Sequence, residues 1–246
     1  MTTLQGVDCS FDPLTADEAL DLKHAGVEVF MQCLLAQPAS GPVQPAPRVT
    51  NLRNALNAGM YILGYAVLPY AATSQDGFDM AGKARSGVPQ DIWDRLLCVE
   101  TDVELPMQPE AIRSMVDSFV GLEKPGVVYT NFNTWVKVLS NPMGFGDCLL
   151  HNALWDLDPN ISFGSRKFGP WTMQQVLAEQ WSGGTYVQGQ FADRNTFVRE
   201  LLLPAAAPPD PCGLPKLRVQ SLEEVATAMV KGDYKTVVRW GRYLGG

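Results

Sequence analysis

The sequence predicts an α/β fold, a TIM-like (β/α) barrel with incomplete helices near its end, followed by a short C-terminal helical tail. Short apolar runs alternate with amphipathic stretches along the 246-residue chain, which is the pattern of repeated β-α units. Acidic residues stand at the ends of several apolar runs that lie far apart in sequence. Since a parallel barrel presents the carboxyl ends of its strands at one face, these acids are expected to share a site there.

In the first half of the chain, caps and stop signals define the helices. Thr15 suits the N-terminal cap of the first helix, Gly26 ends that helix, and Thr50 caps the second. The stretch 36–48 is rich in Pro, Gly and Ser and is expected to be a loop. The expected strands lie at about 4–9, 27–34, 60–67 and 96–101, and the expected helices cover 16–24, Thr50 to Ala58, and 75–85.

In the second half, the clearest helix covers 109–120, where apolar residues recur at helical spacing. The last two strands, at 178–181 and 187–191, lack a convincing helix between them. His151 falls in an irregular stretch, and neither His151 nor His24 has a partner motif. The other expected elements are strands at 127–130 and 153–157, helices at 134–139 and 171–177, and the irregular stretch at 141–152.

Composition excludes several classes of function. The net charge of −7 and the absence of any Lys or Arg run argue against a nucleic-acid partner. No apolar stretch approaches the roughly 20 residues of a membrane-spanning helix. The five cysteines are odd in number and form no CxxC pair, so neither a disulfide framework nor a metal site is expected. No cofactor is implied.

The first residues carry neither a basic nor an apolar signal region. The chain is therefore expected to be made in the cytoplasm without a signal peptide.

A change of composition after Leu203 divides the chain. Residues 1–203 are expected to form the barrel, 204–220 a Pro- and Ala-rich linker, and 221–246 a helical tail. So short a tail cannot form a core of its own. It is expected to dock on the barrel, on a second copy of the chain or on an assembly partner.

Three acids, Glu100, Asp102 and Glu104, alternate directly after an apolar run. Strand alternation places them on one face. Repulsion among close carboxylates raises the pKa of at least one of them, which keeps a general acid protonated near neutrality. The alternative interpretation is a solvated strand end.

Asp8 and Asp193 follow apolar runs near the two ends of the predicted barrel. With the middle acids they would supply the two or three carboxylates that cleavage of a glycosidic bond requires. Each also has a structural alternative, because Asp8 suits a turn and Asp193 suits a cap.

Five segments between residues 5 and 200 form one ordered pattern. In this order and spacing they resemble a known family, glycoside hydrolase family 25, the lysozyme-type N-acetylmuramidases. The segments are Gly6-Val7-Asp8-Cys9-Ser10, the stretch from Asn54 to Tyr65, Asp102-Val103-Glu104, Val128-Tyr129-Thr130 with Trp135, and Gln180-Trp181-Ser182 with Asp193-Arg194-Asn195-Thr196-Phe197.

The resemblance implies a barrel of eight strands and hydrolysis of the β-1,4 bond between N-acetylmuramic acid and N-acetylglucosamine in peptidoglycan. It implies an acidic cluster in which the Glu of the middle motif is the general acid. The expected substrate-binding residues are Tyr65, Tyr129, Trp181 and Asn195. Aromatic residues such as Tyr65 and Trp181 suit sugar stacking and barrel packing alike.

The register of the middle motif stays open. Asp102-Val103-Glu104 matches the family's Asp-x-Glu literally, which favours Glu104 as the acid. The same face also allows the motif to fall on Cys98-x-Glu100, with Glu100 as the acid. The segment Gln32–Ala36 departs from the family, because it carries no charge.

The expected function is a peptidoglycan hydrolase that acts on the bacterial cell-wall glycan in a phage-type lysis or wall-penetration setting. The alternative is an inactive barrel that serves as a structural or glycan-binding module of a larger assembly such as a phage particle.

Overall fold

A closed barrel of eight strands, ordered β1 to β8 as in the sequence, forms the core of the protein. The computed structural model describes residues 2–9, 12–36, 48–161, 168–187 and 190–203. The strands are β1 Thr3–Asp8, β2 Val29–Leu35, β3 Tyr61–Val67, β4 Leu96–Asp102, β5 Gly126–Thr130, β6 Leu149–Ala153, β7 Val176–Val187 and β8 Gln190–Val198. The helices are α1 Ala16–His24, α2 Arg48–Asn57, α3 Ser74–Ser86, α4 Gln90–Trp93, α5 Pro109–Gly121 and α6 Arg199–Leu202.

The predicted fold class, a TIM-like barrel with incomplete helices, is confirmed. Strands β1 to β7 pair in parallel. Strand β8 differs, because it pairs antiparallel with both β7 and β1. The β7–β8 connection leaves only residues 188–189 between the two strands, so a helix does not fit there.

Local sequence explains where the main helices begin. Thr15 and Glu18 form a reciprocal capping box at the start of α1, as the sequence predicts for Thr15. A second capping box at Thr73 starts α3. Pro109 occupies the first turn of α5, where its missing N–H costs nothing.

Two apolar layers hold the barrel together. One layer lies between the strands and the surrounding helices, and the other fills the barrel interior below the carboxyl ends of the strands. Helices α3 and α5 approach so closely that a Cβ at Gly77 would lie 2.2 Å from the carbonyl oxygen of Ala111.

Three expectations about elements were wrong. Strand β6 covers Leu149–Ala153 rather than 153–157, inside the stretch expected to be irregular. Only a 3-10 turn, Met173–Gln175, replaces the helix expected at 171–177, and β7 starts directly after it. Helix α2 begins at Arg48, before the expected cap Thr50.

The helix expected at 134–139 is present as a π-helix over Asn133–Val138.

Within the described ranges, every helix is too short or too polar to cross a membrane. The predicted linker at 204–220 and the predicted helical tail at 221–246 lie outside the described residues.

Candidate active site

A cavity of about 270 Å³ opens at the carboxyl ends of the parallel strands. The structure brings all five predicted acids together around it, with three of the four predicted substrate-binding residues. The acids are Asp8, Glu100, Asp102, Glu104 and Asp193, and the other predicted residues are Tyr65, Tyr129 and Asn195.

Strand β4 positions the three middle acids at increasing height in this cavity. Glu100 is 0% exposed and Asp102 is 5% exposed. Glu104 lies two residues beyond the end of the strand and is exposed at the rim. Because the strand alternates, all three side chains face the same cavity, as the sequence predicts.

Asp8 and Asp193 lie directly opposite each other in the antiparallel β1–β8 pair. Directly opposite residues in such a pair have Cβ atoms roughly 4.5–5.5 Å apart. The backbone N–H of Gly184 donates to Asp193 Oδ1 at 2.6 Å, which holds that carboxyl in place. Strands β1 and β8 therefore add one acid each to the three middle acids.

A buried hydrogen-bonded chain lies beneath the acids. The imidazole of His151, 1% exposed on β6, contacts Glu100 Oε2 through Nδ1 at 2.9 Å and Asn195 Oδ1 through Nε2 at 2.9 Å. The T-shaped contact with the Tyr129 ring, 5.0 Å between centroids, fixes the imidazole further.

The amide of Asn195 orients one end of this chain. Its Nδ2 donates to the carbonyl of Asp193 at 3.5 Å, so its Oδ1 faces His151 and accepts a hydrogen bond from Nε2–H. The contact between His151 Nδ1 and Glu100 Oε2 completes the chain at the base of the cavity.

Burial and like charge raise the pKa of two acids. The pKa of Asp102 lies well above its usual range, first because the side chain is buried and then because Glu104, Asp8 and Glu100 carry like charge. Loss of solvent raises the pKa of Glu104, and the charge of Asp193 raises it further. Because no Lys or Arg is among the described residues that line the cavity, no cation opposes these shifts.

Two polar residues at the site were missed by sequence reasoning. His151 was assigned to an irregular stretch, whereas it lies on β6 at the centre of the network. The side chain of Gln180 lines the cavity and accepts a hydrogen bond from the Tyr129 hydroxyl. The sequence indicated this site through the Gln180-Trp181-Ser182 segment, but Trp181 rather than Gln180 was predicted to bind substrate.

Trp181, the fourth predicted substrate-binding residue, does not line the cavity. Its ring packs against the guanidinium of Arg194, 5.5 Å from the ring centroid. One residue along a strand reverses the direction of a side chain, so Gln180 faces the cavity and Trp181 does not.

Among the described residues, no group of three or more His, Cys, Asp and Glu side chains is arranged to hold a metal ion.

Comparison with solved structures identifies the same fold in three bacterial proteins. A family 25 glycosyl hydrolase from Bacillus anthracis matches with a TM-score of 0.57 and 16% identity, over 81% of this chain and 92% of the other. A glycosyl hydrolase 25 of Streptococcus pneumoniae matches with a TM-score of 0.57 and 12% identity, over 79% and 87%. An uncharacterized B. stearothermophilus protein matches with a TM-score of 0.54 and 14% identity, over 81% and 98%.

No family model and no curated protein matches the sequence. The resemblance first seen in the motifs is confirmed in the fold, and this chain shares the barrel of the family 25 glycosyl hydrolases at low sequence identity.

Proposed function

We propose that this protein is a peptidoglycan hydrolase that cleaves the β-1,4 bond between N-acetylmuramic acid and N-acetylglucosamine by carboxylate acid–base catalysis. The observation that carries the proposal is the convergence of five carboxyl groups in one cavity at the carboxyl end of the barrel. Glycoside hydrolysis needs one protonated and one ionised carboxyl on either side of the bond. The barrel shared with family 25 glycosyl hydrolases supports this reaction class.

Glu104 is the proposed general acid. It lies at the rim, where a glycosidic oxygen can approach its carboxyl, and its raised pKa keeps it protonated closer to neutrality. Asp102 lies below it on the same face of β4 and lines the same cavity. Donation of the Glu104 proton to the leaving oxygen is the first chemical step.

Asp193 is the proposed second carboxyl, acting as base or nucleophile. Asp193 accepts a hydrogen bond from the backbone N–H of Gly184, which orients one oxygen of its carboxyl. Asp8 lies opposite Asp193 in the β1–β8 pair. If the carboxyl groups of Glu104 and Asp193 are about 5–5.5 Å apart, the product should retain the anomeric configuration of the substrate. If they are about 6.5–9.5 Å apart, the product should have the inverted configuration. The anomer released from a chromogenic muramyl substrate distinguishes the two.

Glu100 is proposed to act through other groups rather than on the substrate. Its carboxyl is fully buried, and Oε2 is engaged by His151. Its charge contributes to the raised pKa of Asp102. On this argument the middle motif falls on Asp102-Val103-Glu104.

Paired amide substitutions test the assignment on purified cell walls. Glu104→Gln should reduce turnover by about 10²–10⁴-fold, the usual contribution of general acid catalysis. Glu123→Gln, at an exposed acid remote from the cavity, should leave turnover unchanged. If Glu100→Gln abolishes turnover while Glu104→Gln does not, the acid is Glu100 and the motif falls on Cys98-x-Glu100.

A glycan-binding barrel without turnover is the second candidate. It is favoured by β2, which contributes to the cavity only the uncharged side chains of Met31 and Cys33. Binding of cell-wall glycan with no release of reducing sugar by the wild-type protein would support this candidate. The phage-type setting and attachment through residues 221–246 to an assembly partner remain part of the proposal.

A further inference from the structure

The imidazole of His151 links strands on opposite sides of the barrel. In the closed order β1 to β8, three strands separate β4 from β8 in either direction, so no ladder of backbone hydrogen bonds joins them. His151, on β6, contacts Glu100 on β4 through Nδ1 and Asn195 on β8 through Nε2, each at 2.9 Å. We call these three side chains the interior bridge. It connects directly two strands that the sheet connects only through their neighbours.

The interior bridge lies one layer below the acids. Residues two apart along a strand face the same side, so Asp102 lies above Glu100 on β4 and Asp193 lies above Asn195 on β8. Glu104 follows Asp102 at the rim of the same cavity. The bridge therefore joins the bases of two walls, the β4 wall with the proposed general acid and the β8 wall with the proposed second carboxyl.

The imidazole in this bridge has little freedom to move. Each of the three bridge side chains is at most 1% exposed. The rings of Tyr129 and Phe197 contact the imidazole in edge-to-face arrangements, with 5.0 Å and 5.6 Å between ring centroids. Because both ring nitrogens of His151 are already engaged, the side chain can hold other groups in place but does not offer a free nitrogen to a substrate.

The two walls carry charges of the same sign. Loss of solvent raises the pKa of Glu104, and the charge of Asp193 on the opposite wall raises it further. Coulomb repulsion between these carboxylates favours their separation, and no Lys or Arg among the described lining residues opposes it. A displacement of about 1 Å in a reacting group can cost roughly 10²-fold in rate. The separation of the walls therefore needs a restraint, and the interior bridge lies where it can supply one.

We propose that His151 is a positioning residue that holds the β4 and β8 walls at the separation required for catalysis. It acts through Glu100 and Asn195, and the buried Glu100 serves as its anchor on β4. The inference rests on the proposed function for the roles of Glu104 and Asp193.

Steady-state kinetics on purified cell walls give the first test, at a temperature where every variant is folded. His151→Phe keeps a planar ring but loses both hydrogen bonds, so kcat should fall by about 10²-fold while KM stays nearly unchanged. His151→Gln can keep one of the two bonds, and its kcat should lie between those of the wild type and the Phe variant. Leu22→Ala is the matched control, because Leu22 is fully buried on α1 and does not line the cavity. It should lose stability and keep its kcat.

A second measurement does not depend on turnover. The pKa of Glu104 is followed by carboxyl NMR in the full-length wild type and in each variant. If the bridge holds the walls together, its loss lets them separate and weakens the repulsion that Glu104 receives from Asp193. The pKa of Glu104 should then fall towards its usual value in His151→Phe and stay unchanged in Leu22→Ala.

The two measurements together can overturn the proposal. Wild-type kcat or an unchanged Glu104 pKa in a folded His151→Phe protein would contradict it, as would an equal loss of kcat in Leu22→Ala. If His151→Phe does not fold, His151→Gln takes its place in both measurements, with smaller changes in the same direction. If the wild type does not cleave cell walls, the proposed hydrolase fails, and the Glu104 titration alone decides whether His151 holds the walls.

Discussion

Replacing Asp102 by Asn should stabilise the folded protein near neutral pH while lowering turnover. The side chain is 5% exposed, and its Oδ1 has no hydrogen-bond partner among the described residues. Burial and the charges of Glu104 and Asp8 raise its pKa well above the usual range. An amide has the same shape, carries no charge and can donate to neighbouring carboxylates.

The magnitude follows from proton linkage. Above the pKa of about 3.9 in the unfolded chain, unfolded Asp102 is ionised while the folded protein still holds the proton. The free energy of unfolding of the wild type therefore falls by up to about 1.4 kcal/mol per pH unit from this one group. The loss ends where the pH reaches the raised pKa of the folded state. Since Asn does not titrate, the stability advantage of the variant should grow with pH over that range and then level off.

Urea unfolding from pH 4 to pH 8 measures this difference. The control is Asp21→Asn, which makes the same chemical change on the exposed face of α1. An Asp102→Asn variant that is no more stable than the wild type at pH 7, or an advantage that does not grow with pH, would refute the argument. Gained stability together with lost turnover is the usual sign of a residue kept for function.

Three further substitutions test the packing of the barrel and its helices. His151→Phe should destabilise the protein by about 3–5 kcal/mol, because it leaves Glu100 buried without its partner, and a loss below 1 kcal/mol in urea unfolding would contradict this pairing. Gly77→Ala should be destabilising, because overpacking against Ala111 costs about 1–3 kcal/mol, more than the gain in helix propensity. Gly82→Ala, in the same helix but facing open space, should stabilise by up to about 1 kcal/mol in thermal or urea melts.

The barrel and its acids were predictable because they follow simple periodic rules. The apolar runs of β3 and β4 predict buried strands. Carboxyl groups spaced two or four residues apart at the end of a strand face the same side of the sheet. Asp8, Asp102 and Asp193 lie on three different strands and meet in one cavity. The topology of a barrel, rather than any local motif, brings the ends of distant strands together.

Strand β6 was misplaced because a polar residue lies on each of its faces. His151 and Asn152 interrupt the apolar pattern that marks a strand, while the apolar residues that follow resemble one. Trp155 and Leu157 belong to an exposed loop held by hydrogen bonds to β7. Hydrogen bonds to another strand determine the conformation of this segment, and the local sequence pattern does not reveal those bonds.

The antiparallel closing strand also governs when the site can form during synthesis. Residues 3–8 pair with 193–198, the most distant contacts of the barrel, and such non-local pairing slows folding. At about 5–20 residues per second on the ribosome, the edge of β1 waits roughly 10–40 s for its partner. Until then β1 and β7 are open edges, which are sites of unwanted strand pairing. Because Asp8 and Asp193 become neighbours only in that last pairing, a chain shortened before β8 would carry four of the five acids and still lack the cluster.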